Sequence, residues 1–157
     1  MSDRNALQER ADTACLEAVP EVLETMFFEL LSEEPRIDVP PVGTLDMARV
    51  DFEGSARGHL TVAAAPSLSE SLAAAFLAID EQGAQADNIE FVLGELANML
   101  CGSSLGRFQP DGAFRLSTPM AHLGRTLAAS SQSGVHWIRF SLDRGPIFVG
   151  LSLEGAE

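Results

Sequence analysis

Two hydrophobic periods take turns along this chain. Leu16, Val19, Leu23, Met26, Phe27, Leu30 and Leu31 recur at three- and four-residue steps, with Glu17, Glu21, Glu24 and Glu29 between them. That spacing predicts an amphipathic helix over 4–31. Pro20 removes one backbone donor, so a kink or break is expected there. Residues 32–42, with three prolines, predict a connector. The period then falls to two. Ala48, Val50 and Phe52 oppose Arg49, Asp51 and Glu53; after a Gly54-Ser55-Ala56 turn, Gly58, Leu60, Val62 and Ala64 alternate with Arg57, His59 and Thr61. This predicts an antiparallel hairpin. Pro66 and Ser67 open an alanine-rich helix to about Ile79, with Ser67 as N-cap and Glu70 three residues on, and Gly83 is expected to break it. A further helix is expected from Asp87 to Leu105. Three strands close the chain. Phe114, Leu116 and Thr118 alternate before Pro119. Ile138, Phe140 and Leu142 share a face, and after an Asp143-Arg144-Gly145 turn Ile147, Val149, Leu151 and Leu153 return.

The order α-β-β-α-α-β-β-β with hairpin-sized connections predicts an α+β fold, a mostly antiparallel sheet of about five strands backed by helices. One domain over 1–157 is expected, made of the helix 4–31, the connector 32–42 and a body over 43–154. The length of 157 residues and the 46% hydrophobic content are sufficient for one buried core.

Charge narrows the partners. The net charge is −13, with ten arginines, no lysine and no basic cluster. That argues against nucleic acid or an anionic membrane surface. Residues 1–38 hold ten acids and three arginines, a net −7 that reads as the solvated face of the first helix. No apolar run reaches the roughly 20 residues of a membrane span, and the start has no signal-peptide core. Cys15 and Cys101 read as reduced thiols in a cytoplasmic protein.

The segment Ile89-Glu90-Phe91-Val92-Leu93-Gly94-Glu95-Leu96-Ala97-Asn98-Met99-Leu100 is the informative one. With Glu95 at zero and about 100° per residue, Ile89, Val92, Leu93, Leu96, Met99 and Leu100 form one apolar stripe. Glu95, Asn98, Phe91 and Gly102 fall together on the opposite, solvent face. A carboxylate there can hold a cation on a partner. A carboxamide, donor and acceptor at once, can orient a water without taking its proton. An exposed Glu and Asn three apart are also what an ordinary solvated helix face carries, and residue spacing does not choose between the two. His59, His122 and His136 lie on separate elements without ligand spacing. Cys101 reads as filling rather than nucleophile. Ser103 and Ser104 lack the nucleophile-elbow pattern, and the glycines lack phosphate-loop spacing. Trp137 faces opposite Ile138 and Phe140, covering either a dimer surface or the other side of the sheet.

At this helix the sequence resembles the CheC/CheX/FliY family of bacterial chemotaxis phosphatases, CheX-like domains in particular. The family motif, Glu-x-x-Asn followed by x-x-x-Gly, is matched by Glu95, Asn98 and Gly102. Similarity extends to Glu24-Thr25-Met26-Phe27, to the strand pair with Gly54 and Gly58, to the alanine-rich helix, to Ser117-Thr118-Pro119 and to the closing Ile138–Leu153 hairpin. One motif copy makes CheX nearer than the two-copy CheC type. The resemblance implies dephosphorylation of the response regulator CheY. Glu95 would salt-bridge the regulator's lysine, and Asn98 would place a water in line with the aspartyl-phosphate. The Mg²⁺ would belong to the regulator, with no metal or cofactor held here, and the protein would be a homodimer. Where the family often has Asp or Ser, four residues before the Glu, this chain has Phe91. That aromatic packs on a partner, marks a module that docks a receiver domain or motor component without hydrolysis, or lies buried under the N-terminal segment. A purely structural dimerisation domain would follow if Glu95 and Asn98 were buried or covered by the dimer.

Overall fold

The computed structural model describes residues 2–127 and 136–154, with side chains described for 6–125 and 136–154. Among these, the helices are α1 (Ser2–Phe27), α2 (Pro66–Leu77) and α3 (Ala86–Phe108). The strands are β1 (Arg36–Ile37), β2 (Gly43–Gly54), β3 (Arg57–Ala64), β4 (Phe114–Leu116), β5 (Met120–Leu127), β6 (Trp137–Leu142) and β7 (Gly145–Glu154). All pairings are antiparallel, in the order β1-β6-β7-β3-β2, and β4 and β5 follow one another along the far edge of β2. No helix among the described residues is long and apolar enough to cross a membrane.

The α+β class and the alternation hold. Ala48, Val50 and Phe52 pair across with Val62, Leu60 and Gly58, and Leu60 and Val62 pair in turn with Leu151 and Val149. With Ile138, Phe140, Leu142 and Ile147 they form one buried inner face. α3 lies across that face against β2, β3 and β5, flanked by α1 and α2. Phe27 of α1 stacks on Phe76 of α2 with ring centroids 5.1 Å apart. Trp137 belongs to the other side of the sheet, buried with Leu45, Ala63 and Phe148.

Among the described residues seven strands replace the five expected. β1 forms inside the connector 32–42, where Arg36 and Ile37 pair with Arg139 and Ile138. β5 lacks clean alternation because its pairing with β2 shifts between Leu45 and Met47. At that irregularity the buried Asp46 carboxylate accepts the N–H of Gly124, at 2.8 Å, and Gly124 sits at φ 64°.

The helix ends also move. α1 stops at Phe27 rather than at 31, since Phe28 turns left-handed at φ 59° and the Glu29 N–H closes onto Leu23 O at 3.0 Å. Leu31 then bridges to Leu142 instead of continuing the helix. The buried face of α1 is built from Ala11, Ala14, Cys15, Ala18, Val19, Val22, Leu23 and Phe27, while Leu16, Met26 and Leu30 are exposed. Val19, Leu23 and Phe27 of the expected stripe are on the core side, and small residues fill the rest of it. The expected break at Pro20 does not occur. The carbonyl it leaves without a helical donor is that of Leu16, on the exposed side, where water can satisfy it. In α2 the cap is Ala65, not Ser67, because Pro66 takes the first helical position for which its φ is already set. That helix ends at Leu77 on the left-handed Ala78; Gly83 lies beyond it, in a separate 3₁₀ turn.

Candidate functional site

α3 carries all four candidate residues. At its start the Gln85 N–H donates to Asn88 Oδ1 at 3.0 Å, and Asp87 in the first turn complements the helix dipole. In its last turn Arg107 reaches Glu21 at 2.7 Å and Glu17 at 4.0 Å on α1. Ile89, Val92, Leu93, Leu96 and Leu100 are buried as the periodicity predicts, and Met99 is half-buried. A second buried face was not foreseen. Gly94, Ala97, Cys101, Ser104, Leu105 and Phe108 are buried as well. Cys15 of α1 lies 3.6 Å from the Ser104 hydroxyl, and the Arg10 guanidinium stands over the Phe108 ring at 5.0 Å.

Contact on so many sides leaves about a third of the helix circumference bare. On that strip Phe91, Gly102 and Gly106 are exposed and Glu95 and Asn98 are half-buried. The structure thus brings the four predicted residues onto one face. Phe91, at 56% exposed, does not lie under the N-terminal segment. Among the described residues neither Glu95 nor Asn98 has a side-chain hydrogen bond or ion pair, so a carboxylate and a carboxamide stand one turn apart with their full bonding capacity unused. A Cβ added at Gly102 would meet nothing within 4 Å, so a partner can approach the helix backbone there.

Other reactive groups are occupied elsewhere. Burial pushes the thiols of Cys15 and Cys101 up to about 12, which removes them as nucleophiles at neutral pH. His59 Nδ1 lies 3.9 Å from Glu154, and burial lowers its pKa. His136 Nδ1 lies 3.5 Å from Asp12, whose carboxyl is raised by its own desolvation. An open depression of about 550 Å³ at the Gly54 end of β2 mixes Asp51, Glu53 and Glu154 with Arg57 and Arg115, and Arg115 is already paired with Glu53 at 2.9 Å.

A family model described as chemotaxis phosphatase CheX matches residues 47–142, which span the whole of α3. The chain belongs to the CheX family. Among solved structures, a chemotaxis protein CheX from Desulfovibrio desulfuricans is 22% identical with a TM-score of 0.72, over 92% of this chain and 99% of that one. A chain of the CheX–CheY–BeF₃–Mg²⁺ complex from Borrelia burgdorferi is 18% identical with a TM-score of 0.75, over 92% and 98%. FliY from Thermotoga maritima is 12% identical with a TM-score of 0.63, over 96% and 90%. Comparison with curated proteins gave no match. At such identities the likeness is one of fold, and the CheX assignment rests on the family model.

One contact of the CheX helix was not read from the sequence. Pro119, after β4, packs on Gly94, next to Glu95. A glycine inside a helix pattern was the available signal, since it is costly there without a packing or functional reason.

Proposed function

We propose that this chain removes the phosphoryl group from the aspartyl-phosphate of a CheY-like response regulator. The observation that carries the reading is the pair Glu95 and Asn98, unpaired on the bare strip of α3 in a member of a phosphatase family. Glu95 takes the receiver's lysine as a charge-assisted pair, worth about 1.5–3 kcal/mol. Asn98 holds a water in line with phosphorus. The water oxygen bonds to phosphorus as the bond to the aspartyl oxygen breaks; inorganic phosphate leaves and the receiver's carboxylate is restored. The chain needs no base for this, because phosphoryl transfer depends mainly on position and charge. The divalent cation belongs to the receiver, and this protein holds no metal or cofactor. Phe91 and Gly102 contact the docked receiver. A homodimer in the cytoplasm, where receivers are phosphorylated, is the form proposed to act. With a net charge of −13 facing an acidic receiver site, local contacts rather than long-range steering must supply affinity.

The test is loss of phosphate from a phosphorylated receiver of the same cell. Wild type should accelerate it, and Asn98→Ala should return it to near background with receiver affinity retained. Glu95→Ala should weaken affinity about tenfold or more as well as turnover. Exposed Phe91 favours a second reading, a docking module without hydrolysis. Equal decay with and without the protein, at saturating binding, would leave that reading alone standing.

A further inference from the structure

Gly94 differs from the other glycines of α3. A Cβ on it would lie 3.2 Å from Pro119 Cβ and 3.9 Å from Pro119 Cγ, whereas Gly102 and Gly106 face open space. Gly94 is buried, precedes Glu95, and stands four residues before Asn98, directly along the helix from it. Glycine in a helix interior costs about 1 kcal/mol relative to alanine, and what this one provides is close approach.

Pro119 is itself firmly held. β4 pairs with β2 at Phe52–Gly54 and β5 pairs with it again from Arg49, so the two are one edge strand with a break between them. At the break the Ser117 N–H donates to Asp51 O at 2.8 Å, the Asp51 N–H donates to Ser117 Oγ at 3.0 Å, and Ser117 Oγ donates to Thr118 O at 3.2 Å. Proline has no N–H for the ladder and a fixed φ, so the break falls where the sequence places it. The connector is a ledge stapled to the sheet, and its last residue meets the helix at Gly94.

We infer that Pro119 and Gly94 form a positioning seat, which sets the height and rotation of α3 where Glu95 and Asn98 are presented and so places both against a bound receiver's aspartyl-phosphate. The inference rests on the phosphatase reading for its catalytic consequence. A Cβ at 3.2 Å requires a shift of a few tenths of an ångström. Misplacement by 1 Å costs on the order of 100-fold in rate, so a shift of a few tenths of an ångström is expected to cost about tenfold or less.

The experiment compares wild type, Gly94→Ala, Pro119→Gly and the double variant, which adds a Cβ on the helix and removes the ring carbons of Pro119 that it would meet. Four quantities are read: phosphate loss at saturating protein, affinity for a beryllofluoride-activated receiver, thermal midpoint, and the side-chain amide signal of Asn98 by NMR. Gly94→Ala should slow turnover about tenfold with affinity held within about twofold and no loss of midpoint, and the double variant should recover to within about threefold of wild type. The Asn98 signal should move in the single variants and return in the double. A glycine needed only for folding would lower midpoint, affinity and rate together, without rescue. Should Gly94→Ala not fold, Ser117→Ala releases the ledge instead, at an exposed edge, and should move the same signal and slow the same rate. Full turnover in Gly94→Ala with an unmoved Asn98 signal overturns the seat. An inactive wild type overturns the phosphatase reading, and the Asn98 signal then decides the seat by itself.

Discussion

Replacing Asn98 by alanine should separate the stability of this protein from its chemistry. The Asn98 side chain has no hydrogen-bond partner among the described residues and sits half-buried in the middle of α3. Its removal therefore breaks nothing in the fold. Asparagine is a poorer helix former than alanine by about 0.5 kcal/mol, because its amide competes with the backbone for hydrogen bonds. The variant also relieves partial desolvation of an unsatisfied amide. The sum predicts a gain of roughly 0.5–1 kcal/mol, a rise of about 1–4 °C in melting temperature for a chain of this size. Catalysis should go the other way. Loss of the group that orients the water is expected to cost on the order of 100-fold in turnover, about 2.7 kcal/mol in the barrier. Differential scanning calorimetry and a phosphate-release assay on the same preparation read both quantities. A melting temperature lowered by several degrees would show that Asn98 holds the fold. Unchanged turnover would show that it does not handle water. Either result refutes the assignment.

Three further outcomes are expected. Gly102→Ala adds a Cβ in open space and should stabilise by about 1 kcal/mol, whereas Gly102→Trp should fold equally well and lose receiver affinity about tenfold or more; unchanged affinity in the tryptophan variant would remove this face from the interface. Phe28 is 79% exposed and left-handed at φ 59°, so Phe28→Gly loses little burial, relieves strain and should raise the unfolding free energy read from urea melts by about 0.5–1 kcal/mol; a lowered urea midpoint would mean that the ring is packed. His59 has its pKa lowered from 6.5, by burial first and then by Arg49, so the fold resists a proton that the unfolded chain accepts. Its stabilising contribution is complete above pH 6.5 and is lost as pH falls toward the folded value. Wild type should therefore lose more stability between pH 7 and pH 5 than His59→Gln, and parallel urea midpoints in the two proteins would contradict this.

What the residues disclosed follows their physics. Alternation located β2, β3, β6 and β7 because the face of each that meets the helices carries the larger apolar residues, although Leu45, Ala63, Trp137 and Phe148 are buried on the other face as well. β5 escaped for the converse reason. Its shifted register against β2, the left-handed Gly124 and the Asp46 carboxylate on its backbone are tertiary arrangements that leave no periodic trace. α1 misled differently. Half of its buried side is Ala11, Ala14, Ala18 and Cys15, residues small enough to let helices approach but weak in any count of bulky side chains. Of the visible stripe, Val19, Leu23 and Phe27 are buried while Leu16, Met26 and Leu30 are not, and the end of the helix depended on a left-handed phenylalanine that no propensity would suggest.

The placement of the polar pair was easier to read than parts of the fold, and the reason is geometric. A helix with a single apolar stripe turns that stripe to the core, so a charged carboxylate and a carboxamide well away from it face outward. Glu95 and Asn98 follow from the hydrophobic pattern by exclusion, whatever task they perform. Their placement does not follow in the same way. It depends on how deep α3 lies on the sheet, and that depth is set at Gly94 by a proline 25 positions further on, whose ledge exists only once β4 and β5 have both paired with β2. The polar pair is local information and the seat is not. A substitution in this ledge should therefore alter turnover at a site it never touches, while a substitution of equal size on the bare strip of α3 alters the docking of the partner instead.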